Sequence, residues 1–210
     1  MNGYLNRYAV ALLSLGVLGL GVQWVISQEN QPAAGQQQMS PEQAAQMEAW
    51  MKLAAPGKEH EGLKAMAGTF DAEVSFIPAP GAPPQLSKGT VKNEMVLGGR
   101  FLEGRYRGEM MGEVFEGIGY TGYDNLKKKY VGTWMDSMGT MILVQEGTAD
   151  ATGKAITFSS TMPDPVSGKD QPMRSVLTIL SNDKHTYDMY GPGPDGKEYK
   201  CMTIVYTRSH

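Results

Sequence analysis

From Thr69 onward, short runs of alternating apolar and polar residues are separated by Gly, Pro, Asn and Asp. The alternation predicts about ten strands, at 69–77, 86–97, 100–109, 113–123, 128–136, 139–148, 154–161, 172–181, 184–191 and 198–208. Because no helical pattern separates these strands, a βαβ architecture is excluded and an antiparallel meander is favoured. Closing the twisted sheet removes its edge strands. The pattern therefore predicts an all-β fold: an antiparallel barrel of about ten strands.

Turn-forming residues stand where the predicted strands must reverse direction. Hairpin-like connections are expected at 97–100, 109–113, 123–127, 136–140, 150–154 and 181–184. The segments at 78–85 and 163–172 are longer and rich in proline, so both are expected to be exposed loops. Turn chemistry alone accounts for Asp124, Asn125 and Gly139.

A helical pattern precedes the first strand. Ser40 is suited to the N-cap, Pro41 to the first helical position, and Gln43 to the third position of a capping box. Apolar residues then recur at helical spacing, beside Trp50: Ala44, Met47, Met51 and Ala54. We expect this helix to pack on the barrel as a lid and to be followed by a short helical turn at 60–67. The chain thus divides into a helical lead-in at 40–67 and a barrel at 68–210.

The N-terminal segment has the layout of an export leader. Arg7 precedes an apolar run from Tyr8 to Ile26, and small residues before Gln28 offer a cleavage point. An uncleaved membrane anchor is the alternative, because the run approaches the ~20 residues that span a bilayer. We therefore expect residues 1–27 to be a signal peptide or anchor and 28–39 to be a polar linker. The predicted location is periplasmic or extracellular, with membrane contact only through an uncleaved N-terminal segment.

Composition narrows the functional classes. The chain has 210 residues, 26 of them glycine and 12 proline, and 41% of residues are hydrophobic, a mixture that fits a turn-rich β protein. The formal net charge of -3 provides no basic excess for a phosphate backbone, so no nucleic-acid partner is expected. A single cysteine, Cys201, excludes an internal disulfide.

Three sequence motifs resemble a known family. They are GGRFLEGRY (98–106), EGIGYTGYDNLKKKYVGTWMDSMGT (116–140) and DGKEYKCMTIVYTR (195–208), and they look like the bacterial domain of unknown function 1579. The likeness spans roughly Lys58 to Arg208 and implies a calycin-like (lipocalin-like) antiparallel barrel. AGTFDAEV (67–74) is similar to the Gly-x-Trp start of calycin barrels, with Phe70 in the stacking position of the tryptophan. The resemblance implies no established activity and no catalytic residues.

Candidate ligand-binding residues cluster on two of the predicted strands and near a third. The strand at 128–136 places Tyr130, Trp134 and Asp136 on one face, and the strand at 113–123 contributes Tyr120. With Arg105 nearby, these side chains would line a pocket with apolar walls and a few polar groups. The alternative is that Trp134 is a core residue and Asp136 caps the following turn.

Arg100 is a further candidate, beside Gly98 and Gly99. Its guanidinium could clamp a ligand carboxylate, or it could serve a structural ion pair. Glu103 and Glu116 could act as paired carboxylates, although cross-strand pairing of Glu116 with Arg105 or Arg107 explains them more simply.

Catalytic signals are weak. The sequence has no Gly-x-Ser-x-Gly nucleophile elbow and no zinc spacing around His60, which is expected on a solvated charged face. His185 is expected to be an exposed turn histidine, with a general base or a haem ligand as alternatives. No catalytic residue, cofactor or metal ligand is therefore predicted.

The sequence is consistent with four functional hypotheses. The first is an exported barrel that binds a small apolar or amphipathic ligand in its lumen. The second is a hydrolase or isomerase that uses Asp136 with Arg105 or Tyr120. The third is a structural envelope protein that meets a partner through its proline-rich loops and its methionine-rich helix. The fourth is a haem-binding barrel.

Overall fold

The computed structural model describes residues 39–165 and 167–210. Within these residues, two helices precede ten strands. The helices are α1 (Pro41–Ala54) and α2 (Lys58–Lys64). The strands are β1 (Gly68–Phe76), β2 (Gln85–Val96), β3 (Phe101–Met110), β4 (Glu113–Asp124), β5 (Lys129–Asp136), β6 (Leu143–Ala149), β7 (Ala155–Pro163), β8 (Asp170–Ser181), β9 (Lys184–Pro192) and β10 (Glu198–Arg208).

The strands form a closed antiparallel barrel in which each strand pairs with its neighbours in sequence and β1 pairs with β10. The predicted barrel of about ten strands is confirmed. The predicted start of β6 is wrong by four residues, since that strand was expected from residue 139 and begins at Leu143. The reason is that Asp136 holds a turn, with its Oδ1 accepting a hydrogen bond of 3.0 Å from the Met138 N–H.

Alternation along β1 shows which faces line the lumen. Phe70, Ala72 and Val74 are buried, whereas Asp71 and Glu73 between them are exposed. This alternation of inward and outward side chains, followed through the register of each pair of neighbouring strands, identifies the inward face of every strand. The barrel has a helix end, where β1 begins and β10 stops, and a loop end, where both proline-rich loops lie.

The second helix covers the helix end of the barrel. Leu63 is 1% and Met66 3% exposed, and both pack in one hydrophobic cluster with Leu102 and Phe158. Arg208, the last residue of β10, ties this end together through hydrogen bonds to the carbonyl oxygens of residues 65, 67 and 182 and to the Asp183 carboxylate. The short segment after α1 therefore closes the core, because it supplies the apolar residues that cap it.

The prediction that α1 packs on the barrel as a lid is wrong. No residue of this helix is buried, and Trp50 is 68% exposed. The helix is held at its carboxyl end, where Arg100 Nε donates to the Ala54 carbonyl at 3.0 Å and Asn125 Nδ2 donates to the Leu53 carbonyl at 2.7 Å. Helical spacing predicts an apolar stripe but not what covers it, and here the helix end is already covered by α2.

The predicted leader at 1–27 lies outside the described residues, as does the predicted linker apart from Met39. Within residues 39–165 and 167–210, neither helix has the length and apolar character needed to cross a bilayer.

Candidate functional site

Trp134 faces the lumen and lies flat against its wall. Its indole ring covers Gly117 and Gly119 of the neighbouring strand β4. A Cβ built on Gly117 would stand only 2.2 Å from Trp134 Cζ2, so any larger residue there would displace the ring. The indole Nε1 donates a hydrogen bond of 3.0 Å to Asp136 Oδ2. Glycine on β4 thus allows a large aromatic side chain to line the wall instead of crossing the lumen.

Both carboxylate oxygens of Asp136 are engaged in local hydrogen bonds. Oδ2 accepts from the Trp134 indole, and Oδ1 accepts from the Met138 N–H. The turn-capping alternative for Asp136 is therefore correct, and the Trp134–Asp136 hydrogen bond joins two of the sequence-predicted residues directly.

Tyr120 and Arg105 lie on the outer face of the barrel, opposite to Trp134. Leu102 and Tyr106 are the buried residues of β3, which places Arg105 on the other side of that strand. The Tyr120 hydroxyl donates to Glu103 Oε2 at 2.8 Å, and the pKa of Glu103 is lowered by this bond and by Arg105. The barrel wall thus separates these groups from Asp136, which contradicts a mechanism that pairs Asp136 with either of them.

The other two candidates also have structural contacts. Tyr130 is 6% exposed and packs edge-to-face against Tyr123, with ring centroids 5.0 Å apart, and burial raises the pKa of its phenol. Arg100 binds the carbonyl oxygens of Ala54 and Leu97, which makes it a link between α1 and the turn before β3. Among the predicted ion pairs, the cross-strand bridge between Arg107 and Glu116 is confirmed.

A group of polar side chains in the lumen was not predicted from the sequence. We call Gln145, Ser175 and Tyr187 the lumen polar cluster; they lie on the inward faces of β6, β8 and β9. The Tyr187 hydroxyl donates to Gln145 Oε1 at 3.0 Å, across two intervening strands. A readable signal existed, because Gln145 and Ser175 each interrupt an apolar face at period-2 spacing: Leu143, Gln145, Gly147 and Met173, Ser175, Leu177.

The expectation that His185 is an exposed turn residue is wrong. Its side chain is only 4% exposed and faces the lumen near the helix end, in register with Tyr206. The imidazole stacks on the Tyr206 ring at 4.5 Å and meets the Phe70 ring edge-on at 4.7 Å. Burial, helped by the nearby Arg208 cation, lowers the pKa of His185 to about 4. Aromatic rings thus enclose a neutral imidazole.

The buried His185 predicts an acid-sensitive fold. An unfolded histidine binds a proton near pH 6.5, whereas the folded state resists protonation down to about pH 4, so this contribution to stability is present at pH 7 and is lost as pH falls. We expect the free energy of unfolding to fall by about 2 kcal/mol between pH 7 and pH 5 through this group. Urea unfolding at both pH values should show a loss that is smaller by this amount in the His185→Gln variant. Equal losses in the two proteins would contradict the assignment.

His60 also departs from expectation. It is 3% exposed instead of solvated, and its Nδ1 accepts a hydrogen bond of 3.0 Å from the Gly57 N–H, which holds the start of α2. The described part of the chain contains no cluster of three His, Cys, Asp or Glu side chains that could hold a metal ion.

Several large side chains that face the lumen keep part of their surface exposed. Large inward-facing side chains on β4, β5, β9 and β10 are half-buried, among them Phe115, Trp134, Tyr187, Met202, Ile204 and Tyr206. At the loop end, a cleft of about 270 Å³ is lined by inward-facing Ser160, Met173 and Gly191 together with Arg174 and Glu198 of the rim. A second groove of about 430 Å³ crosses β5, β6 and β7, and includes the ion pair of Lys129 with Glu146.

One solved structure supports the barrel architecture. The structure of Rv2717c from M. tuberculosis matches with a TM-score of 0.55 and 14% identity, over 74% of this chain and 100% of that chain. A redesigned beta barrel, b11L5F_LGL, matches with a TM-score of 0.38 and 15% identity, over 71% of this chain and 96% of that one. The structure of EF1p2_mFAP2b bound to DFHBI matches with a TM-score of 0.36 and 12% identity, over 72% of this chain and 100% of that chain.

No curated protein matches the chain significantly. The profile of one family, described as a protein of unknown function (DUF1579), matches residues 55–208. This match covers α2 and all ten strands, and it agrees with the motifs at 98–106, 116–140 and 195–208. The chain therefore belongs to the DUF1579 family.

Proposed function

We propose that this protein binds a small, partly apolar ligand in the lumen of its barrel. The observation that carries the proposal is the half-buried state of the large side chains that face the lumen from the middle of their strands. In a barrel filled by its own residues, such positions would be fully buried. The leader-like pattern of residues 1–27 supports an exported location for this binding activity.

The wall of the lumen supports the same proposal. Trp134 lies against glycines of β4 and does not project to the barrel axis, so its indole presents a flat apolar face to the interior. Phe115, Met202 and Ile204 pack in the same cluster. Apolar walls with few polar groups are the usual lining of a ligand pocket.

The test compares two tryptophan variants in the full chain, with the uncharged dye Nile red as the probe. We expect Trp134→Ala to weaken Nile red binding at least about tenfold, because it removes the largest apolar surface of the wall. Trp50→Ala is the matched control, since Trp50 is exposed on α1 and does not belong to the hydrophobic cluster that contains Trp134. Fluorescence titration gives both affinities, and circular dichroism checks that each variant keeps its sheet.

A third variant separates the indole from its position. Gly117→Ala keeps Trp134 but places a Cβ where the ring now lies, so we expect it to weaken Nile red binding as well. If Trp134→Ala and Trp50→Ala bind the dye equally well, or if the wild-type protein does not bind it, the lumen is not the ligand site.

A further inference from the structure

The lumen polar cluster is an uncharged group of hydrogen-bonding side chains on the inward face of the barrel wall, between apolar residues of the same strands. Tyr187 donates to Gln145 Oε1 at 3.0 Å. The Gln145 amide nitrogen lies against β5, where a Cβ built on Gly132 would stand 2.8 Å from Nε2. Glycine at position 132 therefore leaves space for this amide, so the backbone of β5 accommodates the polar side chain.

Ser175 leaves the cluster incomplete. Its side chain is 1% exposed, and its Oγ has no hydrogen-bond partner at bonding geometry. The hydroxyl is nevertheless close to Tyr187: burial raises the pKa of that phenol, and Ser175 and Gln145 offset part of the rise. Burial of a hydroxyl without a partner is unfavourable. A small rotation towards an added polar group near Tyr187 would remove that cost.

Among the residues that the structure describes, none places a charged side chain in the middle of the lumen, where it could neutralise an ionic ligand. Among the described residues that face inward, the carboxylates and guanidinium groups occupy strand ends: Glu113 begins β4, Asp136 ends β5 and Arg208 ends β10. Asp136 and Arg208 are committed to protein hydrogen bonds, and His185 is neutral above about pH 4. An ionised ligand beside Tyr187 would thus be desolvated without a partner, which is strongly unfavourable.

We infer that the ligand is an uncharged amphipathic molecule with one hydroxyl, ester or ketone group. That group binds at Gln145, Ser175 and Tyr187, and the hydrocarbon part extends past Trp134 towards the loop end. This inference rests on the proposed lumen binding and adds the chemical class of the ligand. It excludes fatty acids in their ionised form, although their chains would suit the same walls.

The experiment is a displacement series with matched chains. Nile red bound to the full-length protein is displaced at pH 8 by 1-dodecanol, methyl dodecanoate, dodecanoate or dodecane. We expect 1-dodecanol and the ester to displace the dye at concentrations at least about tenfold lower than dodecanoate, because only dodecanoate carries a charge. We also expect 1-dodecanol to displace the dye at lower concentrations than dodecane does, because only the alcohol can form a hydrogen bond with the cluster.

Two variants connect the preference to the cluster. Tyr187→Phe keeps the ring but removes the hydroxyl, so it should abolish most of the advantage of 1-dodecanol over dodecane and leave displacement by dodecane unchanged. Ser175→Ala removes the unpaired hydroxyl, so a higher concentration of 1-dodecanol should be needed to displace the dye. The ligand-free variant should keep or gain thermal stability. A purely structural serine would instead lose stability and show no ligand selectivity.

The outcomes are distinct. If dodecanoate displaces the dye as well as 1-dodecanol does, the inference of an uncharged ligand is wrong and lumen binding stands. If dodecane displaces the dye from the wild-type protein as well as 1-dodecanol does, the polar cluster takes no part in binding and the inference is again wrong. If Nile red does not bind at all, the proposed function and this inference fail together.

Discussion

Replacing Phe70 with alanine is expected to lower the free energy of unfolding by about 4 kcal/mol. Phe70 is 0% exposed, the Arg208 guanidinium lies 4.4 Å from its ring centroid, and His185 meets it edge-on. The variant therefore creates a cavity and also removes the ring against which a cation and an imidazole pack. For a domain of this size, the melting temperature should fall by roughly 8–16 °C.

Phe76→Ala is the matched control, because Phe76 ends the same strand and is 37% exposed. It should cost about 1 kcal/mol or less, since truncating a partly exposed side chain removes less buried surface. Urea denaturation followed by circular dichroism measures both values. Similar losses in the two variants would show that Phe70 is not the packing centre of the helix end.

Replacing Arg208 with alanine is expected to cost about 3 kcal/mol. Its Nη1 donates to the Ala67 carbonyl at 2.9 Å and its Nη2 to the Ala65 carbonyl at 3.1 Å, and both acceptors lie in the segment that joins α2 to β1. Without the guanidinium, these part-buried carbonyl groups lose their partner and the segment that carries Met66 loses its anchor. Arg208→Lys should restore only part of the lost stability, because an ammonium group lacks the planar arrangement of N–H donors that a guanidinium group has.

Arg174→Ala serves as the control for Arg208. Arg174 forms a bidentate ion pair with Glu198 on the barrel exterior. Its replacement with alanine should lower the free energy of unfolding by about 1 kcal/mol or less. Thermal melts of the three arginine variants give the comparison. An Arg174→Ala variant as unstable as Arg208→Ala would contradict the anchoring role assigned to the last residue of β10.

The strand pattern could be predicted because alternation and turn residues are local signals. Most strand boundaries were found within a few residues, and the common face of Tyr130, Trp134 and Asp136 was correct. Which face of β3 and β4 points inward could not be decided, because glycines occur at 104, 108, 117, 119 and 122 and weaken the contrast between the faces. For that reason Tyr120 and Arg105 were placed beside Trp134, although the wall separates them.

Errors on the histidines and on α1 have a different origin. His185 stands next to a turn, and only the closure of the barrel brings Phe70 and Tyr206 around it. The apolar stripe of α1 is visible in the sequence, but its exposure depends on α2 having already covered the helix end. Both errors concern contacts between residues distant in the chain, which local patterns do not determine.

The pairing of β1 with β10 gives this fold a high contact order. Phe70 pairs with Arg208 across almost the whole domain, and Ser209 Oγ bonds to Asp71 Oδ1 over 138 residues of sequence. Closure of such a loop is slow, and the edges of β1 and β9 stay unpaired until the last strand has been made. A circular permutant that links residue 210 to the start of α2 through a flexible linker, and opens the chain at the exposed β6–β7 turn, would keep α2 and bring β10 close to β1 in sequence. Such a permutant should reach the same barrel by a faster folding route.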